Sequence, residues 1–278
     1  KKMIKKMDDI RFLKKKGYIH KKNFFDNDEI EKIKILSSHL HTTSNTKVVN
    51  NLHNNKEAWS LLVNSKIINF LKKFYDTGEV FYLYNSHSVL QKIDEKVDSN
   101  WHRDNACRVY GVGPDWKNNY NVLRVAIYLN DEKNDENGLN LVINSHQKKK
   151  FICFIIRKLR QNFKRIYFNK VFRFFFDKFI GKKVITKTGD CIFFYANMYH
   201  SAIRSKKNLN SRKALFLTYG TNNNHTDNFL NYYIYYHPND HSFDNKKNSK
   251  EEFTNYLKDN GLLEKLPTKK ETIEGFTI

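Results

Sequence analysis

The first third of the chain carries two stretches with the hydrophobic spacing of amphipathic helices. Asp26, followed three residues later by Glu29, forms the pattern of a capping box at a helix start. The apolar residues that follow at helical spacing are Ile30, Ile33, Leu36 and Leu40. A second helical pattern runs from about 56 to 75, and a short strand is predicted from Tyr18 to Phe25. Both helices are expected to pack against a sheet.

From Glu79 the pattern changes to short, β-rich runs that are separated by polar turns. The clearest turns contain Gly138 and Gly189, since glycine readily adopts the positive φ that tight turns require. The runs include EVFYLYNSHSVLQKI, NVLRVAIYLND, GLNLVIN, KKVITKT, CIFFYAN and SRKALFLTYG. Many short strands in series predict a mainly β fold with flanking helices, as in a sandwich, jelly roll or barrel.

Length and composition favour one domain that spans residues 1–278. With 278 residues and 40% hydrophobic content, the chain can bury one core and is short for two. Within this domain we expect a helical N-terminal support over 1–78, a β core over 79–221 and a polar C-terminal tail over 222–278.

A basic segment at 147–183 interrupts the β core. It contains 13 lysines and arginines against one acid, so it supplies +12 of the chain's net charge of +21. Its apolar residues recur every three or four positions, which predicts an amphipathic helix with a cationic face. The helix either packs on the core with solvated lysines or contacts an anionic membrane surface. Nucleic acid is the weaker partner, because no recognisable nucleic-acid-binding motif is present.

The cysteine pattern favours a reducing compartment. Cys107, Cys153 and Cys191 are far apart and show no CxxC spacing, so neither a disulfide framework nor a zinc knuckle is indicated. No run approaches the ~20 apolar residues of a membrane-spanning helix. We therefore expect a cytoplasmic protein, with peripheral membrane association left open.

Candidate chemistry first occurs in the motif WHRDN, at residues 101–105. On a β-strand, His102 and Asp104 project from one face while Arg103 points to the other. An imidazole and a carboxylate on one face supply two ligands of a 2-His-1-carboxylate iron site. A third ligand is then needed.

His200 and Arg212 are the candidates that complete such a site. A Gly-Asp turn leads into the apolar run CIFFY, His200 follows it after a short link, and Arg212 opens the next run twelve residues later. This order can bring a distal histidine and an arginine into one pocket. A guanidinium is well suited to bind a carboxylate through two parallel hydrogen bonds.

The motifs together resemble the phytanoyl-CoA dioxygenase-like group of iron(II)/2-oxoglutarate oxygenases. The resemblance covers most of the chain, from KKGYIHKKNFFDNDEIEKI through WHRD, YLNDEKNDENGLNLVINSH and GDCIFF to HSAIRSKKNLNSRKAL. It implies a double-stranded β-helix, the cupin-like jelly roll. It also implies that His102, Asp104 and His200 bind iron(II) and that Arg212 binds the distal carboxylate of 2-oxoglutarate.

The chain departs from the family pattern at two places. Where the family commonly has Pro-Gly-Ser-His, this chain has Ile143-Asn144-Ser145-His146 and so lacks both turn-forming residues. The serine often found two places after the distal histidine is replaced by Ala202, which leaves the adjacent Ser201 as the candidate for that cofactor contact.

The activity that the resemblance implies is that of a dioxygenase. Such an oxidoreductase uses iron(II), 2-oxoglutarate and O2 to hydroxylate a small-molecule or lipid-like substrate, free or linked to a carrier. Related halogenases have a small residue at the position of Asp104, so hydroxylation is expected here. The alternative function is a basic protein that binds a membrane surface or nucleic acid through a non-catalytic β-barrel.

Overall fold

The computed structural model describes residues 2–91, 101–104, 121–129, 137–147, 170–203, 212–231 and 251–265. These residues form a sheet-rich molecule with flanking helices, as predicted. The helices are α1 (Lys2–Lys16), α2 (Asn27–Ser44), α3 (Trp59–Leu62), α4 (Ser65–Tyr75), α5 (Lys170–Phe179), α6 (Asn224–Asn231) and α7 (Glu251–Asp259).

The predicted capping box begins α2. The Glu29 amide donates to Asp26 Oδ1 at 3.0 Å, and the Asp26 amide donates to Glu29 Oε2 at 2.9 Å. The second helical region is divided into α3 and α4, because Asn64 accepts hydrogen bonds from the amides of Lys66 and Ile67 and so caps a new helix. The helical pattern was therefore correct in extent but contained a break.

The strands form one large and one small sheet. They are β1 (Tyr18–Lys21), β2 (Val48–Asn50), β3 (Phe81–Tyr82), β4 (His87–Gln91), β5 (Leu123–Tyr128), β6 (Asn137–Leu141), β7 (Lys182–Thr186), β8 (Cys191–Tyr195), β9 (His200–Ala202), β10 (Arg212–Gly220) and β11 (Leu263–Glu264). The large sheet has the order β1-β8-β5-β10-β3-β11, with β4 also paired to β10 and β2 paired to β4. The small sheet has the order β7-β6-β9.

One face of the large sheet is covered by α4. The Phe70 ring lies 4.2 Å from the Phe193 ring on β8, and the Phe74 ring lies 5.7 Å from Tyr195 on the same strand. The Tyr75 hydroxyl donates to the Tyr219 carbonyl at 2.8 Å. Side chains alternate along a strand, so the residues between these contacts face the opposite side.

That opposite side carries polar groups in an otherwise apolar sheet. Arg124 on β5 lies directly across from Thr218 on β10 and from Phe194 on β8. The Phe194 ring lies 5.0 Å from the His200 ring, which belongs to the small sheet. The candidate site therefore lies where the two sheets come together.

One strand position and one turn explain local sequence choices, and Gly138, predicted to lie in a turn, is the second residue of β6. Gly138 has φ +142, and a Cβ there would lie 2.0 Å from the Val184 carbonyl oxygen, so glycine is required where β6 passes β7. Asn144 has φ +62 in the turn where the family pattern has Pro-Gly. Asparagine tolerates this left-handed conformation better than most residues, so the turn is kept without glycine.

The structure corrects two boundaries and adds one strand. The first strand ends at Lys21, not at Phe25. In the basic segment, α5 ends at Phe179 and Lys182 already begins β7, so the predicted helix does not extend to residue 183; its part at 148–169 lies outside the described residues. The polar tail contains α6, the short helix α7 that the pattern near 250–259 predicts, and the strand β11, which was not predicted and pairs in parallel with β3. Within the described ranges, none of the helices combines the length and hydrophobicity that a membrane crossing requires.

Candidate metal centre

His102 and His200 are brought together by an antiparallel backbone bridge. The amide of each residue donates to the carbonyl of the other at 2.9 Å. Residues directly opposite in such a pair carry their side chains on the same face. The two imidazole rings consequently lie 4.3 Å apart, although 98 positions separate them in the sequence.

Asp104 joins the histidines through the two-residue spacing of the HxD motif. Its amide donates to the Ala196 carbonyl at 2.9 Å, which fixes the backbone beside the end of β8. Asp104 Oδ1 then lies 3.4 Å from His102 Nε2 and 3.6 Å from His200 Nε2. Arg103 points away, as the strand alternation predicted, and its guanidinium lies 4.3 Å from the centre of the Tyr199 ring.

The protonation of His200 suits a metal ligand. Its Nδ1 donates to the Met198 carbonyl at 3.0 Å, because a carbonyl oxygen can only accept. The lone pair is thereby left on Nε2, the atom that faces Asp104. Burial lowers the pKa of His200 to about 3, although Asp104 opposes this shift, so the imidazole is neutral near neutral pH.

Asp104 stays charged although it is buried. Burial by itself would raise the pKa of its carboxyl, but the Arg124 guanidinium outweighs this effect together with His200 and His102. The pKa of Asp104 is therefore held well below its usual range. Arg124 Nε lies 3.0 Å from Asp104 Oδ2, the oxygen that does not face the histidines.

The three donor atoms fit one metal ion. Ligands of an ion such as zinc or iron lie about 2.1 Å from it, which puts neighbouring donors about 3 Å apart. The donor atoms of His102, Asp104 and His200 all lie within 4.8 Å of one another. Among the residues that the structure describes, this trio is the group of histidines, cysteines and acids that can hold a metal. Two imidazoles and one carboxylate on one side are typical of non-heme iron(II) sites.

Solved structures of similar shape include non-heme α-ketoglutarate-dependent enzymes. HygX from Streptomyces hygroscopicus, with nickel and 2-oxoglutarate bound, superposes with a TM-score of 0.61 at 14% identity, over 77% of this chain and 87% of HygX. The fold is that of α-ketoglutarate-dependent enzymes. SnoN, an epimerase of nogalamycin biosynthesis, gives 0.55 at 13% identity, over 79% of this chain and 84% of SnoN.

A third neighbour carries out a different reaction on the same fold. SnoK, a carbocyclase of nogalamycin biosynthesis, gives a TM-score of 0.56 at 14% identity, over 77% of this chain and 83% of SnoK. Neither a protein-family model nor a curated protein matches the sequence. At these identities the likeness establishes the fold, and the chemistry has to be argued from the site.

The remaining predicted site residues lie on β9 and β10. Arg212 begins β10, with its Cα paired to that of Gln91 on β4, and its side chain lies outside the described part of the structure. Ser201 follows His200 and is buried, and strand alternation places it on the opposite face of β9 from the metal donors. The cofactor contacts of both residues stay predictions.

Arg124 is the residue of the site that the sequence interpretation missed. It was included in the apolar run NVLRVAIYLND without a role. The signal was its position, because a charged residue inside a buried strand needs a charged or hydrogen-bonding partner. The sequence does not identify that partner, since Asp104 belongs to a separate segment.

Proposed function

We propose that this protein is an iron(II)/2-oxoglutarate-dependent dioxygenase of the phytanoyl-CoA dioxygenase-like type, built on a double-stranded β-helix, and that it hydroxylates its substrate. The observation that carries the proposal is the meeting of His102 Nε2, Asp104 Oδ1 and His200 Nε2 at one point between the sheets. The shared fold with α-ketoglutarate-dependent enzymes supports it.

Each of these residues has a defined task in this proposal. His102, Asp104 and His200 hold the metal from one side and leave its other positions to ligands and O2. Arg212 binds the distal carboxylate of 2-oxoglutarate, whereas Ser201, on the opposite face of β9 from the metal donors, is assigned no contact. When bound, iron would activate O2, the oxidant, while 2-oxoglutarate would supply two electrons as it is converted to succinate and carbon dioxide. Neighbours crystallised with iron, nickel and 2-oxoglutarate support this cofactor set.

The substrate class is proposed to be a small or lipid-like molecule, free or attached to a carrier. Hydroxylation is favoured because Asp104 occupies the position where related halogenases have a small residue. Epimerase and carbocyclase neighbours share the fold, so product analysis is needed to separate hydroxylation from other oxidations.

The proposal is tested by conversion of 2-oxoglutarate to succinate with ferrous iron and O2. Wild-type protein is expected to form succinate slowly even without substrate, and faster when a substrate is found by screening. His200→Ala removes one metal donor and is expected to abolish the reaction. His39→Ala is the matched control, because His39 is an exposed residue of α2. Equal succinate formation by His200→Ala and wild type would refute the proposal.

A non-catalytic binding protein is not favoured, but we propose that the basic segment adds a membrane contact to the enzyme. Phe174 and Phe179 on α5 are 57% and 65% exposed. The ammonium of Lys178 lies 5.9 Å from the first ring centre and 5.4 Å from the second. Asp177, the one acid at 147–183, accepts a hydrogen bond from the Trp101 indole at 2.9 Å. Exposed aromatic rings beside cations are typical of surfaces that contact anionic lipid.

Sedimentation with lipid vesicles tests this membrane contact. We expect the protein to bind phosphatidylserine vesicles and to bind vesicles of phosphatidylcholine alone only weakly. Binding to phosphatidylserine should weaken as the salt concentration rises. Replacing Phe174 and Phe179 by serine should abolish binding, whereas Ile35→Ser should not, since Ile35 is 69% exposed on α2. Equal binding of wild type and the double variant would refute the proposal.

A further inference from the structure

The two oxygens of Asp104 have different partners. Oδ1 faces both histidine Nε2 atoms, at 3.4 Å from His102 and 3.6 Å from His200. Oδ2 lies 3.0 Å from Arg124 Nε. One oxygen is thus directed at the metal position and the other at a fixed cation.

Arg124 is held in place by groups other than Asp104. Its side chain is nearly fully buried, and its Nη1 donates to the Asn85 carbonyl at 2.7 Å and to the Thr218 hydroxyl. Thr218 Oγ1 in turn donates to the same carbonyl at 2.6 Å, so its lone pairs are free to accept from Arg124. The guanidinium also lies 5.8 Å from the centre of the Phe216 ring. A carboxylate that pairs with this guanidinium must therefore orient one oxygen toward it, because the guanidinium itself is held in place.

We propose that Arg124 is a positioning residue that restricts Asp104 to metal binding through Oδ1 alone. A carboxylate can bind a metal through one oxygen or through both, and the second mode occupies a further coordination position. The cation at Oδ2 competes with the metal for that oxygen and keeps the position open. The inference rests on the proposed metal site, and it adds that Arg124 limits how many coordination positions Asp104 occupies.

This role differs from that of a partner which merely orients a ligand. Loss of an orienting partner typically weakens metal binding by about 10–100-fold. Loss of a competing cation acts in the opposite direction, because Asp104 gains a second free oxygen and a nearby positive charge is removed. The direction in which metal affinity changes when Arg124 is replaced therefore distinguishes the two roles.

Arg103 provides a matched control. It is as deeply buried as Arg124 and lies between two metal-binding residues in the sequence. Its Nη2, however, donates to the Ser145 carbonyl at 2.9 Å, and its guanidinium stacks over the Tyr199 ring and not against Asp104. Arg103→Met thus removes a buried cation near the site without freeing Oδ2.

The test compares Co(II) binding by Arg124→Met, Arg103→Met and wild type, with infrared difference spectra on metal addition. The separation of the two carboxylate stretches is wide for one-oxygen binding and narrow for two-oxygen binding, and Asp104→Asn identifies the bands. We expect Arg124→Met to bind Co(II) about tenfold tighter with a narrow separation. Arg103→Met and the charge-retaining Arg124→Lys should keep the wide separation of wild type.

Arg124→Gln answers the same question if Arg124→Met does not fold, because the amide retains a donor for the Asn85 carbonyl but has no charge. A wide separation in both neutral variants, or weaker Co(II) binding by them, would overturn the inference. Failure of wild type to turn over 2-oxoglutarate while it binds Co(II) would instead remove the dioxygenase proposal and leave the role of Arg124 standing.

Discussion

Arg124→Met is expected to destabilise the metal-free protein by about 3 kcal/mol. At 3.0 Å the attraction between the guanidinium and Asp104 is roughly 5.5 kcal/mol for an effective dielectric constant of about 20. Breaking one side of a buried ion pair typically costs about 3–5 kcal/mol, since the remaining charge stays buried. Proton uptake by Asp104 or a neighbouring histidine offsets part of this cost, which favours the lower end of that range.

A divalent metal should reduce this penalty, because it provides Asp104 with a new positive partner. Urea unfolding of wild type and Arg124→Met, once with EDTA and once with saturating Co(II), measures the loss of stability without and with metal. An unchanged m-value confirms that the same transition is followed. A tenfold gain in metal affinity corresponds to a penalty smaller by about 1.4 kcal/mol in cobalt. The reasoning is refuted if the penalty in EDTA is below about 1 kcal/mol, or if cobalt increases it.

Two further predictions concern the scaffold. Asp190→Asn should cost about 2 kcal/mol in urea unfolding, because Asp190 accepts from the Asn23 and Lys187 amides and binds His20 at 2.8 Å. Burial opposes the shift, but these hydrogen bonds lower the pKa of Asp190 in the folded protein. Their contribution to the free energy of unfolding is therefore present above the unfolded pKa of about 3.9 and is lost as pH falls through the lower folded pKa. A difference in stability between wild type and Asp190→Asn that persists in stronger acid would contradict this. Gly78→Ala should lower the free energy of unfolding by roughly 1–2 kcal/mol through backbone strain alone, because its Cβ would meet nothing within 4 Å. Gly138→Ala should lower it by more, because its Cβ would also clash with β7. Equal decreases in melting temperature for the two variants would argue against this clash.

The parts of the fold that the sequence predicts are those set by local spacing. The capping box at Asp26 and Glu29 lies within one helical turn, and the two-residue spacing of the HxD motif directs His102 and Asp104 to the same side, although the structure of residues 101–104 has only an isolated bridge at His102 and no full strand. His200 was placed near them through the resemblance, and the backbone bridge to His102 accounts for the meeting. The capping box and the HxD spacing need no knowledge of distant segments, whereas the meeting with His200 depends on one.

The remaining features depend on contacts between segments far apart in the chain. The strand Leu263–Glu264 has no alternating pattern of its own and exists because β3 offers a free edge. Helix α5 stops at Phe179 because Lys182 begins pairing with β6, although the basic pattern continues. Arg124 shows the same limit at the site, because its partner Asp104 belongs to a separate segment that only the folded chain brings within 3.0 Å.

The pairing of Arg124 with Asp104 also sets the electrical balance of the pocket. Before metal binds, the carboxylate and the guanidinium cancel, and His200 contributes no charge. A ferrous ion bound as proposed would be only partly neutralised by Asp104, and the sum over the ion, Asp104, Arg124 and His200 would be two positive charges. In a buried pocket such an excess favours an incoming chelator with two negative charges over a neutral or singly charged one, and 2-oxoglutarate is a dianion.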